Sequence, residues 1–326
     1  AYEGLRLDDG GLLRALAALR AHGGRVLVHA ENHHAIAYLT ARALAEGRTG
    51  PENHPLTRPD WMEAEAIHRL LALARVTGTP LVLAPSILSV DASVTNTVAV
   101  RRKGTVEYDG FVVADPIIAD LGLIATAPAH LNRAGVGDLL SIQTGRFDWA
   151  LGAKAGTIEF DADVDAAAAA VLEALYEQAG EIAAASDAAL EHIIRAYVEV
   201  NALLLTVGHS GPEEGSEHYF GYAAEAHTGR SFVHGELIGL GVVLMSGLQQ
   251  NDQARAAAFL DHCGVEWRPE QLGLDRATLQ AVLLDLPRFV RAAGLPHSII
   301  DEAPLDAEHV TELLDHIPLP YAPAHP

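Results

Sequence analysis

The sequence predicts an α/β segment followed by an all-α domain. In residues 1–84, short apolar runs alternate with segments of helical periodicity, the pattern of parallel strands joined by helices. After Pro116 almost every segment has the alanine- and leucine-rich periodicity of helices. Between these parts, residues 96–115 alternate in period two around Lys103-Gly104, which predicts a hairpin with a further strand at 111–115.

The elements of each part follow from the same patterns. In the first part the periodicity predicts helices over 10–22, 33–47 and 61–76, and buried strands over 25–30 and 79–84. A polar loop with prolines, 48–60, separates the second helix from the third. In the second part it predicts helices over 128–152, 162–184, 186–207, 234–250, 252–263 and 275–293.

Composition narrows the class of protein. The 326 residues are 49 % hydrophobic, which is enough for a sizeable core and suggests about two domains. The net charge of −21 argues against nucleic acid and anionic membranes as partners. Cys263 is the only cysteine, so no disulfide framework exists and a reducing cytoplasm is the expected location. No apolar run approaches the roughly 18 residues of a membrane span.

His218 and His234, sixteen residues apart, are candidates for a metal site. A catalytic zinc commonly takes three imidazole or carboxylate ligands from protein and keeps one position open. The best third candidate is Asp138, whose lead-in Gly135-Val136-Gly137 is expected to give backbone room close to a bound ligand. The chain has 17 histidines, so spacing alone leaves surface or core roles open for this pair.

Four motifs from residue 85 onward carry a resemblance to a known superfamily. They are "PSILSVDASVT" (85–95), "RAGVGDLLS" (133–141), "GSEH" (215–218) and "HGELIGLG" (234–241). In this order and with these gaps, the chain from about residue 80 resembles the iron-containing alcohol dehydrogenase and dehydroquinate synthase-like superfamily. It is most similar to the sn-glycerol-1-phosphate dehydrogenase branch. The fold implied is dehydroquinate synthase-like, with a replaced and incomplete nucleotide-binding part.

The resemblance implies one catalytic divalent metal ion, which could be zinc, iron or nickel. Its ligands would be Asp138, His218 and His234. The chemistry implied is reduction of a ketone: the metal polarises the oxygen as a Lewis acid, and a reduced nicotinamide delivers hydride to the carbon.

The same resemblance implies that residues 85–95 form a loop that contacts both the cofactor and the substrate. Ser86, Ser89 and Thr95 would lie by NAD(P), and Asp91 would face the substrate.

Tyr222 marks a departure from the closest branch, which has at this position a histidine expected to touch substrate. Four residues after His218 on a helix, Tyr222 would lie on the same face, so its hydroxyl could replace the imidazole. The substrate is therefore left open between a small phosphorylated ketone and another small hydroxy compound.

Glu236, two residues after His234, is interpreted as a first-turn acid favoured by the helix dipole. The alternative is a role in orienting a ligand at the metal.

The first 84 residues lack the glycine-rich turn that normally holds a dinucleotide pyrophosphate between a strand and a helix. Gly10-Gly11 follows Asp8-Asp9, whose charges would repel phosphate, and Gly23-Gly24 precedes a strand. Weak or absent NAD(P) binding is therefore expected.

This segment instead resembles part of a hydantoinase or dihydropyrimidinase, a (β/α)₈-barrel amidohydrolase, through "DDG", "VHAEN", "TGP" and "LTRP". The resemblance makes His29 a former metal ligand at a strand end. The other ligands of that family are missing from the sequence, so His29 is interpreted as a relic.

These inferences divide the chain into a hydantoinase-like fragment (1–84), a remnant of the nucleotide-binding domain (85–126) and a helical metal-binding domain (127–326). The leading hypothesis is a metal-dependent, NAD(P)-linked dehydrogenase with impaired cofactor binding. The alternatives are a hydantoinase-type amidohydrolase fragment and a metal-binding but inactive chimera. The expected partner is a small-molecule substrate, without nucleic acid or membrane, and a homo-oligomer is left open.

Overall fold

The computed structural model separates the chain into two compact units. The first comprises Ala1–Leu83 with Val113–Pro116, and the second comprises Ala84–Val112 with Ile117–Pro326. The structure describes residues 7–24, 28, 32–50, 53–80, 84–95, 97–102, 105–111 and 116–318.

The described part of the first unit is helical. Its elements are α1 (Asp9–His22), α2 (His33–Ala45), the single turn α3 (His54–Thr57) and α4 (Asp60–Thr77). The three long helices confirm the predicted periodicity, whereas α3 lies inside the predicted loop. Of the predicted strands, Val28, Thr79, Pro80 and Ala84 are described and lie outside any strand; residues 25–27, 29–30 and 81–83 are outside the described part.

Side-chain caps define where the first two helices begin. The Asp8 carboxylate accepts a hydrogen bond from the Gly11 amide at 2.7 Å, and the Asn32 side chain accepts one from the Ala35 amide at 3.1 Å. Helix α1 ends at Gly23, which has the left-handed conformation that glycine adopts without strain. Helices α1 and α4 pack together, and the Thr79 hydroxyl donates to the Leu16 carbonyl.

The second unit opens with the loop 84–95, which contains a 3₁₀ turn at Asp91–Ser93, and continues into a hairpin. Strands β1 (Thr97–Arg102) and β2 (Thr105–Phe111) pair antiparallel, with Arg102 opposite Thr105. The predicted hairpin is therefore confirmed. The further strand at 111–115 falls outside the described residues apart from Phe111, which ends β2.

The remainder of the described second unit is helical, as the sequence predicts. Its helices are α5 (Leu121–Ile124), α6 (Ala129–Leu140), α7 (Ile142–Lys154), α8 (Ala162–Glu177), α9 (Ala179–Ala184), α10 (Asp187–Val207), α11 (Ser216–Thr228), α12 (His234–Gln249), α13 (Gln253–Cys263), α14 (Arg276–Ala293), α15 (Ile299–Glu302) and α16 (Ala307–Asp315). In the described part of the chain, no helix has both the length and the apolar character needed to cross a membrane.

Two long predicted helices are each divided in the structure. The segment 128–152 breaks at Ser141, whose amide and hydroxyl both donate to the Asp138 carbonyl. This three-residue spacing tightens the turn and redirects the chain between α6 and α7. The segment 162–184 breaks at Gln178, whose amide donates to the Leu175 carbonyl at the same spacing. Periodicity alone did not reveal these breaks, because helical residues continue on both sides.

The core of the second unit surrounds α12, which packs against α6, α11 and α13. Almost every residue of α12 after His234 is buried, which fits its apolar sequence. The largest fully buried side chains of the unit include Trp267, Tyr197, Phe220, Leu139, Leu140 and Ile142.

Candidate metal centre

Helices α6 and α12 meet backbone to backbone, and this contact places the candidate ligands. A Cβ atom added at Gly137 would lie 1.8 Å from the Gly235 carbonyl oxygen, and one added at Gly235 would lie 1.8 Å from the Ala134 carbonyl oxygen. Gly137 precedes Asp138 and Gly235 follows His234, so the close crossing brings these two side chains together. The glycines were expected to make room for a bound ligand. The structure corrects this interpretation: the space at Gly137 is filled by α12, and the space at Gly135 is filled by the Leu88 carbonyl and the Tyr197 hydroxyl.

Asp138, His218 and His234 come together in one cluster, each offering a ligand atom within 4.8 Å of the others. The Asp138 Oδ1 atom lies 3.5 Å from His218 Nε2 and 3.2 Å from His234 Nε2. Two ligands about 2.1 Å from a tetrahedral ion would be separated by about 3.4 Å. One carboxylate and two imidazoles at these separations fit a divalent ion of the zinc or iron type.

The cluster is buried on all but one side. Asp138 is 3 % exposed and His218 is 6 % exposed, whereas 26 % of the His234 side chain remains accessible. The exposed edge of His234 therefore marks the side from which a small ligand can reach the centre. This arrangement matches a catalytic site, which needs an open position.

Electrostatics at the cluster favour an ionised Asp138 beside a protonated His218. Burial tends to raise the pKa of Asp138, but the two histidines outweigh it and hold that pKa well below its usual range. Burial tends to lower the pKa of His218, yet its contacts with Asp138 and Glu217 raise that pKa well above the ordinary value. A metal ion would therefore compete with a proton for the His218 imidazole.

Both buried ligands are oriented by a second contact. The Oδ2 atom of Asp138 accepts a hydrogen bond from the Asp91 backbone amide at 3.1 Å, leaving Oδ1 directed at the histidines. The Nδ1 atom of His218 lies 2.8 Å from Glu217 Oε1, leaving Nε2 directed at Asp138. Sequence reasoning missed Glu217, because neighbours on a helix do not normally face each other. The signal available was its position inside the "GSEH" motif.

Asp91, the predicted substrate-facing residue, lies at the edge of the cluster. Its Oδ2 atom accepts a hydrogen bond from the Asn201 amide at 3.3 Å. Burial, followed by the negative charge of Asp138, raises the pKa of Asp91 to about 8. Glu213, a buried acid that sequence analysis missed, has its pKa raised by burial and then by Asp91. Burial and the neighbouring carboxylates therefore favour the neutral form of Asp91.

Tyr222 is buried one helical turn from His218, as its spacing predicted. The two rings are 6.1 Å apart between centroids. The Tyr222 hydroxyl donates to Glu214 Oε1 at 2.5 Å. The tyrosine therefore brings an acidic partner to the position where the related branch has a histidine.

The loop 84–95 is held against the helices of its own unit. The Leu88 amide donates to Asn132 Oδ1 at 3.0 Å, and the Tyr197 hydroxyl donates to the carbonyl oxygens of Gly135 and Leu88 at 2.9 and 3.3 Å. These contacts, together with the hydrogen bond from the Asp91 amide to Asp138, fix the loop beside the three candidate metal ligands.

Two of the three predicted cofactor contacts share a cleft of about 250 Å³ in this loop. Ser86 and Ser89 line the cleft, together with Ala84, Pro85, Ile87, Val90, Ala92 and Ser93; Thr95 is not one of the lining residues. The Ser86 and Ser89 hydroxyls in this cleft could contact a nicotinamide or a ribose.

Two helices of the first unit have first turns that are closed to phosphate by their own side chains. The Asp8 carboxylate occupies the first-turn amide of Gly11, where a phosphate would otherwise bind, and Asn32 caps α2 in the same way. His29, interpreted as a former amidohydrolase ligand, lies outside the described residues.

No protein-family model matches the chain. A glycerol-1-phosphate dehydrogenase [NAD(P)+] of Methanococcoides burtonii is 28 % identical over 206 residues, which are 63 % of this chain and 58 % of that protein. A D-hydantoinase of Streptomyces coelicolor is 47 % identical over 74 residues, 23 % of this chain and 16 % of that protein. The chain spans less than two thirds of the length of the dehydrogenase relatives it matches.

Solved structures show the same fold. A probable glycerol dehydrogenase of Sinorhizobium meliloti superposes with a TM-score of 0.58 and 21 % identity, covering 94 % of this chain and 80 % of that one. An iron-containing alcohol dehydrogenase of Corynebacterium glutamicum gives a TM-score of 0.52 and 14 % identity, covering 95 % of this chain and 87 % of that one.

Together, the relatives and the fold support the iron-containing alcohol dehydrogenase and dehydroquinate synthase-like superfamily predicted from the motifs. The hydantoinase similarity is a short partial match.

Proposed function

We propose that the chain is a metal-dependent, NAD(P)-linked dehydrogenase of the glycerol-1-phosphate dehydrogenase type that acts on a small ketone and the corresponding alcohol. The observation that carries the proposal is the convergence of Asp138, His218 and His234 from three separate helices at ion-binding distances. The reaction class, an NAD(P)-linked dehydrogenation, is taken from the names of the similar proteins.

A divalent ion held by these three residues would polarise a substrate carbonyl, while a reduced nicotinamide would supply the hydride. The chain's own residues prepare the surroundings. Asp138 is fixed by the Asp91 amide, so its free oxygen stays directed at the histidines. The Asp91 side chain lies at the edge of the cluster, where it could hydrogen-bond a substrate oxygen. Tyr222 presents its hydroxyl on the same helix as His218.

We propose further that NAD(P) binds weakly. Ser86 and Ser89 provide contacts for one part of the dinucleotide, and Thr95 is retained as a proposed third contact. The first 84 residues show no glycine-rich turn between a strand and a helix for the pyrophosphate, and the net charge of −21 opposes an anionic cofactor. The metal site would then be preserved while turnover is reduced.

A hydantoinase activity has a local sequence match in its favour but lacks a site. Only His29 corresponds to a ligand of that family, and its expected partners are missing from the sequence. We therefore expect no ring opening of hydantoin or dihydrouracil. Turnover of either compound that disappears in His29→Ala would favour the amidohydrolase alternative instead.

The proposal is tested by elemental analysis combined with an assay of hydride transfer. The purified protein should retain close to one equivalent of a divalent metal, and His218→Ala should lose it. His297→Ala is the control, because His297 contacts Asp301 and Glu302, away from the cluster. With metal restored, glycerol 1-phosphate and glycerol would be offered with NAD⁺ and with NADP⁺ at high concentration. Equal metal content in the wild type and His218→Ala would contradict the site. Bound metal without reduction of either cofactor would favour an inactive chimera.

A further inference from the structure

We propose that Glu217 is a positioning residue for the metal ligand His218: by accepting the Nδ1 proton, it keeps the Nε2 lone pair directed at the metal position. The inference rests on the metal site proposed above. It concerns a residue next to the ligands, and its test does not require turnover.

The contact between the two residues is direct and buried. Glu217 Oε1 lies 2.8 Å from His218 Nδ1 and also accepts the Gly215 backbone amide at 2.6 Å. Since Oε1 acts as an acceptor toward Gly215, the proton of the second contact lies on His218 Nδ1. A metal-bound imidazole commonly donates its other nitrogen to a carboxylate in this way. The opposite nitrogen, Nε2, faces Asp138 at 3.5 Å.

The surrounding structure holds Glu217 in this position. Helix α11 begins at Ser216, whose amide donates to Asp148 Oδ2 at 2.8 Å, so the start of the helix is anchored to α7. On the other side, α12 lies directly against the Glu217 backbone: a Cβ atom at Gly241 would be 2.6 Å from the Glu217 carbonyl oxygen. These contacts fix the Glu217 backbone, and the Gly215 amide holds the carboxylate through Oε1.

The unpaired Oε2 atom of Glu217 indicates that a role in folding alone does not explain why a glutamate occupies this position. Glu217 is fully buried, and Oε2 has no hydrogen-bond partner in the described part of the chain. A buried polar atom without a partner costs stability. Accepting the Gly215 amide does not require a second, unpaired carboxylate oxygen. Orienting a metal-binding imidazole, in contrast, accounts for a carboxylate at this buried position.

The test compares metal affinity in Glu217→Gln and Glu217→Met with that of the full-length wild type, by chelator competition with Zn²⁺ and Co²⁺. Removing the acceptor in Glu217→Met should weaken binding roughly tenfold to a hundredfold. Glu217→Gln retains an acceptor without the charge and should lose less. The Co²⁺ absorption bands should shift in the same order, because the orientation of the imidazole changes.

Glu236→Gln is the matched control. Glu236 is also a buried acid and stands two residues from the ligand His234, but the structure records no contact between it and either imidazole. Its metal affinity should stay within about twofold of the wild type, since no contact that orients a ligand is lost. Thermal unfolding of the metal-free variants separates loss of fold from loss of affinity. If Glu217→Met fails to fold, the proposal is tested by comparing the metal affinity of Glu217→Gln with that of Glu236→Gln.

Wild-type affinity in a folded Glu217→Met, or an equal loss in Glu236→Gln, would overturn the proposal. If the wild type binds no metal, the proposed function fails, but the role of Glu217 can still be read from ¹⁵N NMR of the histidines. The His218 Nδ1 proton should be protected from exchange in the wild type and lose that protection in Glu217→Met. Identical exchange in both proteins would refute the positioning role.

Discussion

Asp138 is the residue on which the site converges, because each of its carboxylate oxygens has a different partner. Oδ1 faces His218 and His234, while Oδ2 accepts the Asp91 amide from the loop 84–95. A metal ion bound at Oδ1 would therefore share the Asp138 side chain with the loop that is proposed to contact the cofactor. This link joins the two halves of the proposed chemistry through one side chain.

The raised pKa of His218 predicts how metal affinity depends on pH. Below that pKa the metal must displace a proton from the imidazole, and above it no proton is in the way. Apparent affinity should thus rise with pH from 6 upward, by roughly tenfold per unit for one displaced proton, and level off above the pKa. Chelator competition at several pH values would measure the slope. An affinity independent of pH between 6 and 8 would show that the site is already deprotonated.

Tyr222 is expected to affect turnover without affecting the metal. Tyr222→Phe removes the hydroxyl that donates to Glu214, a hydrogen bond to a charged group worth roughly 1.5–3 kcal/mol. If that hydroxyl also meets the substrate, kcat/KM should fall roughly tenfold to a hundredfold, with metal content unchanged. Steady-state kinetics and elemental analysis on the same preparation would test this. Loss of metal in Tyr222→Phe would instead assign Tyr222 to the support of His218.

At the scale of elements, the site depends on how closely α6 and α12 approach. Glycines replace side chains where the helices cross, so each backbone fits against the other. The neighbouring residues Asp138 and His234 then reach a common point although they are about a hundred positions apart in sequence. Helix α11 adds His218 by packing on α12. The geometry of the metal centre is thus a consequence of helix packing.

The same substitution at two glycines should have opposite effects. Gly137→Ala would place a methyl group 1.8 Å from a backbone oxygen of α12, so the helices must separate, at a cost of about 3 kcal/mol and with loss of metal affinity. Gly180→Ala in α9 meets nothing within 4 Å and should stabilise the fold by about 0.5–1 kcal/mol. Chemical denaturation of both variants would measure the difference. A Gly137→Ala protein as stable as the wild type would mean that the crossing can relax.

At the scale of the whole molecule, the two units differ in what they can contribute. The second unit contains the three candidate metal ligands, the loop 84–95 and the cleft with Ser86 and Ser89. In the described residues of the first unit, the first turns of α1 and α2 are capped by their own side chains, whereas α4 begins after Pro59 without a side-chain cap.

Dinucleotide affinity should accordingly be low in the whole protein. Loss of two or three hydrogen bonds to a charged pyrophosphate, at roughly 1.5–3 kcal/mol each, corresponds to a weakening of two orders of magnitude or more. Fluorescence titration with NADH and NADPH, in the presence of excess Zn²⁺, would measure it. Micromolar binding accompanied by normal ketone reduction would mean that a nucleotide site exists in the first 84 residues or in a segment outside the described part.

Much of the fold could be predicted from periodicity alone. The helices α1, α2, α4, α10 and α12 and the hairpin lie close to their predicted positions, because a repeating apolar face is a local property of the sequence. The breaks at Ser141 and Gln178 could not be predicted, since they depend on hydrogen bonds with three-residue spacing inside continuous helical sequence. The motifs likewise singled out Asp138, His218 and His234 as candidates.

What the sequence determined by itself was the identity of the candidate ligands and the order of the elements that carry them. The tertiary structure decided how they meet. The contact of Gly137 with Gly235 sets the distance between two ligands, and the contacts of Glu217 and of the Asp91 amide orient the other atoms. These contacts join distant segments, or adjacent residues that an ideal helix would direct apart. Their geometry exists only once the helices have packed, and for that physical reason no local pattern contains it.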